Sequence, residues 1–202
     1  MRALLIVLPL VLAACASEPE PPAVATDTFR PNAGPETPSG EAVASAVVDA
    51  LDGSGVSGLV TLREADDAVH VRVRLTGLAP GEHGFHIHEG ESCGPDSTGT
   101  PGGAAGGHLN PLLSPHGAPT AAPADRHAGD LGNITADAEG TAAGVVVDSV
   151  LTLSGPTSAI GHALVVHGGA DDLESQPSGA AGARVACGVV REGLPESVAE
   201  EE

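Results

Sequence analysis

The clearest signal in the chain is an alternation of apolar and polar residues over positions 69–75. Four apolar side chains alternate there with His70, Arg72 and Arg74, which is the period of a β-strand that buries one face. Shorter apolar runs bounded by turn residues predict further strands at 42–51, 56–63, 84–89, 131–135, 141–150, 164–167 and 184–191. About eight strands with little helix signal indicate an all-β barrel or sandwich.

The connections between these predicted strands differ greatly in length. The first four strands are joined by short turns such as Asp52-Gly53 and Pro80-Gly81, so we expect them to form an antiparallel meander. By contrast, segments 90–126 and 168–183 are rich in glycine and lack periodicity. Long loops of this kind in a compact domain are usually functional or disordered. Because residues 90–126 carry a cysteine and two histidines, we predict an ordered loop held by a disulfide and a metal.

The first residues have the pattern of a targeting segment. Arg2 precedes an apolar run at 3–12 that is too short to span a bilayer, and Leu12-Ala13-Ala14-Cys15 resembles the lipobox of bacterial lipoproteins. The resemblance implies a signal peptide at 1–14, a lipid on Cys15 that attaches the protein to a membrane, and a place in the cell envelope on the periplasmic or extracytoplasmic side. The alternative is an ordinary secretory signal with a chance cysteine.

The remaining segments complete the predicted domain organisation. Residues 15–42 are rich in Pro, Glu, Ala and Thr without apolar periodicity, so they should form a disordered linker. A barrel should occupy 43–192, and 193–202 should be an acidic, disordered tail. Apart from Cys15, the chain has Cys93 and Cys187, and an even pair in an exported protein predicts a disulfide between them.

Composition narrows the choice of partners. The chain has 27 acidic and 8 basic residues, all of them arginine, and a net charge of −19. A chain of this charge should repel nucleic acid and anionic membrane surfaces. Only Phe29 and Phe85 are aromatic, so the core must consist of Val, Leu, Ile and Ala, which favours strands.

Histidines provide the candidate chemistry. His86 and His88 stand two apart in a predicted strand and therefore project from the same face. Imidazole is the commonest metal ligand and suits copper and zinc, although an H-x-H pair alone is weak evidence. Further histidines lie at strand ends and in the first long loop, where a rigid scaffold can bring them together: His108, His116, His127 with Asp130, and His167. This distribution predicts a metal site.

Six motifs in sequence order resemble the copper/zinc superoxide dismutase family over roughly residues 43–192. They are GFHIHE at 84–89, GHLNP at 107–111, PHGAP at 115–119, HAGDLGN at 127–133, LVVH at 164–167 with ADDL at 170–173, and GARVACG at 182–188. The resemblance implies an eight-stranded Greek-key β-barrel with two long functional loops. The insertion between Cys93 and His108 is similar to that of bacterial exported members.

The resemblance also implies a role for each matching residue. Copper would be held by His86, His88, His108 and His167, and zinc by His108, His116, His127 and Asp130. Asp171 would accept hydrogen bonds from one copper and one zinc histidine, and Arg184 would dock the superoxide anion. The implied reaction converts two superoxide anions and two protons to O₂ and hydrogen peroxide, with copper as the redox metal, zinc in a structural role and His108 as a proton carrier. The resemblance does not decide whether the protein forms a homodimer.

The chain departs from the family pattern in its charge. Family members usually carry lysines in the second long loop, but residues 168–183 contain no lysine or arginine, and residues 43–192 hold 18 acids and six arginines. We therefore expect slower capture of the anion than in better-steered relatives. Two other functions are considered: a non-catalytic envelope lipoprotein that buffers or delivers copper and zinc, and an inert adhesion or spacer module.

Three histidines have no ligand place in the family pattern. His70 should be solvated on the polar face of its strand, and His83 should make a supporting hydrogen bond. His162 has no predicted role.

Overall fold

The computed structural model describes residues 29–31 and 44–195. That part of the chain forms ten β-strands and one short 3-10 helix, Gly103–Ala105. The strands are β1 Arg30–Pro31, β2 Ala44–Ala50, β3 Ser57–Ala65, β4 Ala68–Thr76, β5 Gly81–His88, β6 Asp130–Ala136, β7 Ala142–Asp148, β8 Ala163–His167, β9 Arg184–Val189 and β10 Arg191–Glu192. The predicted signal peptide with Cys15, most of the linker and the end of the acidic tail lie outside the described residues.

The eight longer strands, β2 to β9, form a nearly closed antiparallel barrel. Strand order is β1-β7-β4-β3-β2-β9-β8-β5-β6, and β10 pairs with β2. The tight turn between β6 and β7, where the Asp137 N–H donates to the Thr141 carbonyl oxygen at 2.9 Å, brings the two ends of this order together. The predicted all-β barrel of eight strands is confirmed, and β1 and β10 are short additions at its edges.

The predicted meander holds for three strands only. β2, β3 and β4 pair in sequence order, but β5 pairs with β6 and β8 rather than with β4. The alternation in the sequence fixes which side chains face inwards, but not which strands are neighbours, and β4 already has β3 and β7 on its two edges. The connection at 77–80 therefore crosses the barrel, as a Greek key requires.

The barrel interior is filled by small and branched side chains. Val69, Val71, Val73 and Leu75 of β4 are all at most 1% exposed, and Phe85 is fully buried. Burial of each such side chain contributes roughly 1.5–3 kcal/mol. The prediction of an almost aromatic-free core is confirmed, because the described residues contribute only Phe85 to it fully and Phe29 at its margin.

The position of β5 decides where the site lies. Phe85 and Ile87 point into the core, so His86 and His88 point outwards. Both histidines are nevertheless at most 1% exposed, because the long loops at 89–129 and 168–183 cover this side of the barrel. No helix in the described part of the chain is long and apolar enough to cross a membrane.

The first long loop is tied to the barrel by the predicted disulfide. Cys93 and Cys187 are bonded, with their Cα atoms 5.7 Å apart and a sequence separation of 94 residues. Closing a loop of this length stabilises the fold by about 4.7 kcal/mol in the chain-entropy model. The bond fastens the loop that carries His108 and His116 to β9, which begins with Arg184.

Candidate metal centre

Four histidines meet on the outer side of β5 and β8. His86 and His88 come from β5, and His167 is the last residue of β8. His108 is brought in from the first long loop by an isolated bridge with His88 and by the Leu109 N–H, which donates to the Ile87 carbonyl oxygen at 2.8 Å. One ring nitrogen of each histidine lies within 4.8 Å of the others, a spacing that suits a shared cation.

Hydrogen bonds on the far side of these rings fix which nitrogen faces the centre. The Nδ1–H of His88 donates to the Gly106 carbonyl oxygen at 2.9 Å, and the Nδ1–H of His167 donates to that of Gly182 at 3.1 Å. The Nε2–H of His86 donates to the Asp171 carboxylate at 2.7 Å. Each ring therefore turns its other nitrogen, with a lone pair, towards the centre.

Burial keeps these rings uncharged. Loss of solvent lowers the pKa of His86 to about 3 and that of His167 to about 4, and it holds the pKa of His88 well below its ordinary value. The pKa of each of these three histidines is lowered further by repulsion from the positive charge that the neighbouring histidines would carry. Neutral imidazole is the form that binds a metal, so this group is ready to accept copper at physiological pH.

A second group of potential metal ligands lies directly beside the four histidines. Oδ1 of Asp130 is 2.6 Å from Nδ1 of His108 and 3.0 Å from Nδ1 of both His116 and His127. Its other oxygen accepts the backbone N–H groups of Gly117 and His127 at 3.0 and 2.8 Å. Three nitrogens and one oxygen in a buried site are the donor set of a closed tetrahedral zinc site.

The charge on Asp130 is strongly favoured. Burial alone would raise its pKa, but the neighbouring imidazoles of His108, His116 and His127 outweigh burial and hold the pKa well below the usual range. The carboxylate therefore stays ionised and available to a cation.

His108 belongs to both groups. Its Nδ1 lies among the zinc-type ligands, and its Nε2 is a buried atom without a hydrogen-bond partner in the described part of the chain, as are His86 Nδ1 and His116 Nδ1. Buried polar atoms left unpaired are rare and costly. All three belong to the two ligand groups, so two cations that bind there would satisfy all of them, and the residues fit copper and zinc.

Asp171 connects the two groups from behind. Its Oδ2 accepts from His86, and its Oδ1 accepts the Nε2–H of His116 at 3.0 Å. Asn133 holds the Asp171 backbone through two hydrogen bonds of 2.7 and 2.9 Å. Gly179 is required beside it, because a Cβ at that position would collide with the Asp171 carboxylate, and its φ is +64°. Asp171 therefore contacts one histidine of each group.

Arg184 lies beside the four-histidine group. It is the cross-strand partner of His167, and its guanidinium donates to the carbonyl oxygens of Gly102 and Gly106, each at 2.5 Å. Its positive charge contributes to the lowered pKa of His88 and His167. The Gly106 carbonyl thus orients both a ring of the group and the adjacent cation.

The sequence does not predict that Arg126 is buried or that it supports the site. It is fully buried and forms an ion pair with Asp148 at 2.5 Å. It also donates to the backbone carbonyl oxygens of Pro119, His127 and Asp130. Arg126 therefore holds the loop that carries the zinc-type ligands against the end of β7. Its only signal in the sequence is its place directly before His127.

The three remaining histidines have different surroundings. His83 is buried and its two ring nitrogens lie 2.8 Å from the carbonyl oxygens of His167 and Ala79, which confirms the predicted supporting hydrogen bond. His162 Nδ1 lies 2.8 Å from the Glu89 carbonyl oxygen, which gives this residue a structural contact. His70 is partly exposed on the outer face of β4.

The metal-free protein should be most stable near pH 6.5. Below that pH the unfolded chain binds more protons than the fold, because His86 and His167 have a pKa of about 3 and 4 in the fold against 6.5 ordinarily, so stability falls on acidification. For His116, the nearby carboxylates of Asp130 and Asp171 outweigh burial and raise the pKa to about 9, so its contribution is lost as the pH rises towards 9. Calorimetry of chelator-treated protein from pH 4 to 9 measures this, and a continuous rise in melting temperature to pH 9 would contradict it.

Comparison with known proteins agrees with this geometry. The family model described as copper/zinc superoxide dismutase matches residues 56–190. The chain is 47% identical over 153 residues to a superoxide dismutase [Cu-Zn] of Candida glabrata, which covers 71% of this chain and 95% of that protein. It is 45% identical over 143 residues to superoxide dismutase [Cu-Zn] 2 of Mesembryanthemum crystallinum, covering 68% and 86%.

A solved structure has the same architecture. The crystal structure of the clock protein EA4 superposes with a TM-score of 0.65 at 38% sequence identity, and the match covers 77% of this chain and 96% of EA4. The family model spans most of the described barrel and both ligand groups. The chain therefore belongs to the copper/zinc superoxide dismutase family.

Proposed function

We propose that this protein is a superoxide dismutase, which converts two superoxide anions and two protons to O₂ and hydrogen peroxide. The observation that carries the proposal is the shared ring of His108, which lies in two adjacent buried ligand groups of different composition. One group offers four imidazole nitrogens and the other three nitrogens and a carboxylate, so the two sites suit different metals. Bound copper would supply the one-electron redox chemistry that side chains lack.

The ligand atoms of His86, His88, His116 and His167 follow from the hydrogen bonds behind their rings. Those of His108 and His127 follow from the proximity of each Nδ1 to Asp130. Copper would be held by His86 Nδ1 and by the Nε2 atoms of His88, His108 and His167. Zinc would be held by Asp130 Oδ1 and by the Nδ1 atoms of His108, His116 and His127. The Asp171 carboxylate and the Gly106 and Gly182 carbonyl oxygens take the opposite N–H groups, which holds the rings in the required tautomer.

His108 is suited to carry a proton in this reaction. Its Nδ1 is directed at Asp130, whereas its Nε2 is a buried atom with no hydrogen-bond partner in the described part of the chain. A proton on Nε2 would lie at the copper side of the ring, close to where the anion is reduced. Transfer from a positioned group of this kind typically contributes 10²- to 10⁴-fold to a rate.

Arg184 provides the binding charge for the substrate. Two backbone carbonyl oxygens hold the guanidinium in place beside the copper ligands, and it is partly exposed. A cation fixed at the entrance of a buried site attracts a small anion and orients it. Loops 89–129 and 168–183 exclude water from the rings below, which strengthens the electrostatic attraction.

Metal content and turnover, measured on the same sample, test the proposal. The full chain reconstituted with both metals should contain one copper and one zinc and should consume superoxide catalytically. Binding of both metals without turnover would favour the alternative, a copper- and zinc-binding lipoprotein that buffers or delivers metal. A chain that binds neither metal would be an inert module, and both dismutase and buffer would be excluded.

Replacing Arg184 by serine should lower kcat/KM for superoxide by about 10- to 100-fold, because the only described cation beside the copper ligands is removed. Both metals should remain bound, since no proposed ligand changes. Arg191→Ser, which removes an exposed arginine from β10, is the matched control for the change in net charge. Equal effects of the two substitutions would show that net charge alone, and not docking at Arg184, governs capture.

Wild-type capture should become faster as salt is added at low ionic strength. The anion approaches a protein of net charge −19, and salt screens this repulsion over a Debye length of about 10 Å at 0.1 M. Stopped-flow decay of superoxide at several salt concentrations measures the effect. A near diffusion-limited rate that changes little with salt would contradict the proposed slow capture.

We further propose that residues 1–14 are a signal peptide, that Cys15 carries a lipid and that the protein is anchored to a membrane of the cell envelope. Support comes from the lipobox-like Leu12-Ala13-Ala14-Cys15 after a short apolar run. Two acyl chains or more give stable membrane attachment. Mass spectrometry of the membrane fraction should find a lipid-modified N-terminal cysteine, and Cys15→Ser should release the protein. Sedimentation of the released form measures whether it is a homodimer.

A further inference from the structure

Most arginines of this acidic protein lie on one side of the barrel. The register places Arg30, Val145, Arg72, Thr61, Ser45 and Arg191 in one row across β1, β7, β4, β3, β2 and β10. The neighbouring rows pair Arg74 with Leu59 and Arg63 with His70. Because Val71 and Val73 of β4 are core residues, these positions alternate with them and face outwards. We call the surface of Arg30, Arg63, Arg72, Arg74 and Arg191 the arginine face.

The arginine face is opposite the metal centre and is not part of it. Of the seven arginines in the described residues, five belong to this face, whereas Arg126 is buried and Arg184 lies at the metal centre. Within residues 29–31 and 44–195, neither Arg72 nor Arg74 forms an ion pair. Such a concentration of positive charge in a chain of net charge −19 fits an acidic partner.

The shape of the surroundings favours a narrow partner over a flat one. Asp66 and Asp67 border the face at the hairpin between β3 and β4, and Glu192 borders it at β10. A flat anionic surface laid on the convex barrel would also approach these acids and be repelled by them. A single extended acidic segment can lie along the row of arginines and avoid them.

The chain itself leaves the described region on this face. The Ser45 hydroxyl donates to the Gly193 carbonyl oxygen at 2.6 Å, and Ser45 lies in the same row as Thr61 and Arg72. Two strand spacings, about 10 Å, separate Ser45 from Arg72. Residues 196–202 follow Pro195 and include Glu196, Glu200, Glu201 and Glu202. Seven residues span up to about 24 Å, which is enough to cross β3 and β4.

We infer that residues 196–202 dock across the arginine face, with their glutamates against Arg72 and Arg74. Each exposed charge pair contributes little, but several pairs on a segment already attached at Gly193 add up at low salt. The docked segment would neutralise the arginine face, so that Arg184 remains the main positive charge available to a small anion in solution.

The sign of a stability change tests the inference. In a protein of net charge −19, neutralising surface acids should relieve repulsion and raise the melting temperature. If the tail docks, the variant E196Q/E200Q/E201Q/E202Q of the metal-loaded full chain should instead melt about 3 °C lower at salt concentrations on the order of 10 mM. This decrease should vanish at about 0.5 M salt, where charges are screened.

The matched control removes four acids from the other side of the barrel. The variant E82Q/E91Q/D125N/E174Q changes net charge by the same amount at exposed positions and should raise the melting temperature. A tail variant that is stabilised like this control would overturn the inference. So would a decrease that persists at high salt, because it would not be electrostatic.

A double-mutant cycle locates the docking site. In an R72S/R74S background, neutralising the four tail glutamates should no longer lower the melting temperature, because the partners are gone. A decrease that is unchanged in this background would place the tail elsewhere and overturn the inference. Binding of the unlipidated wild-type chain to phosphatidylglycerol vesicles through Arg72 and Arg74 would also overturn it, since the face would then be open to an external anionic surface.

Discussion

Replacing His108 by asparagine should lower dismutase kcat/KM by at least about 100-fold, since general acid catalysis by a positioned group contributes 10² to 10⁴. Asparagine cannot present two ring nitrogens to two ligand groups, and its amide does not carry a proton near neutral pH. Superoxide decay followed by stopped flow, with metal content measured on the same sample, provides the test. His70→Asn, at a partly exposed position on β4, is the control and should keep the wild-type rate.

Which metal each histidine variant loses shows whether the two metals share the His108 ring or bind at two independent sites. His108→Asn should weaken binding of both copper and zinc, because this residue belongs to both groups. His167→Asn should weaken copper alone, and His127→Asn zinc alone. Competition titrations with chelators of known affinity measure each metal. A His108 variant that retains both metals and near wild-type turnover would refute the proposed sharing and, with it, the proposed proton carrier.

Replacing Asp148 by asparagine should destabilise the fold by about 3–5 kcal/mol, because the fully buried Arg126 would lose its charged partner. The carboxamide preserves volume, so the loss measures the uncompensated charge rather than a cavity. Denaturant unfolding of the metal-free protein gives the free energy. Asp125→Asn, at an exposed site one residue before Arg126, should change stability by less than about 0.5 kcal/mol.

Asp148→Asn should also weaken zinc binding. Arg126 donates to the carbonyl oxygens of His127 and Asp130, so a displaced guanidinium would disturb two proposed ligands. Loss of such supporting contacts typically costs 10- to 100-fold in metal affinity. Unchanged stability and zinc affinity in Asp148→Asn would contradict the role of this ion pair in holding the loop.

Periodicity predicts strands well and their neighbours poorly. The alternation at 69–75 marks the strand that extends over Ala68–Thr76, and the apolar run at 56–63 marks Ser57–Ala65, because burial of one face dictates a period of two. The crossing of β5 away from β4 and the pairing of β1 with β7 have no such signature. Which strands lie side by side depends on how the whole barrel closes.

The proposed ligands could be named from motifs, but the atoms that orient them could not. His88 and His167 depend on the carbonyl oxygens of Gly106 and Gly182, and every residue has a carbonyl group. The sequence does not predict the burial of Arg126, because an arginine in a loop ordinarily faces solvent. Its contacts, among them those with Asp148 and with three backbone carbonyl oxygens, explain why a charge can be buried there.

The Gly106 carbonyl oxygen accepts hydrogen bonds from both His88 and Arg184, and it lies in the loop that the Cys93–Cys187 bond fastens to β9. A single peptide group therefore couples the basicity of a copper-side imidazole to the position of the cation that receives the substrate. Reduction of the disulfide would alter both together, so copper affinity and anion affinity should decline in parallel across a redox titration. The oxidising power of the compartment would thereby become a regulator of the enzyme.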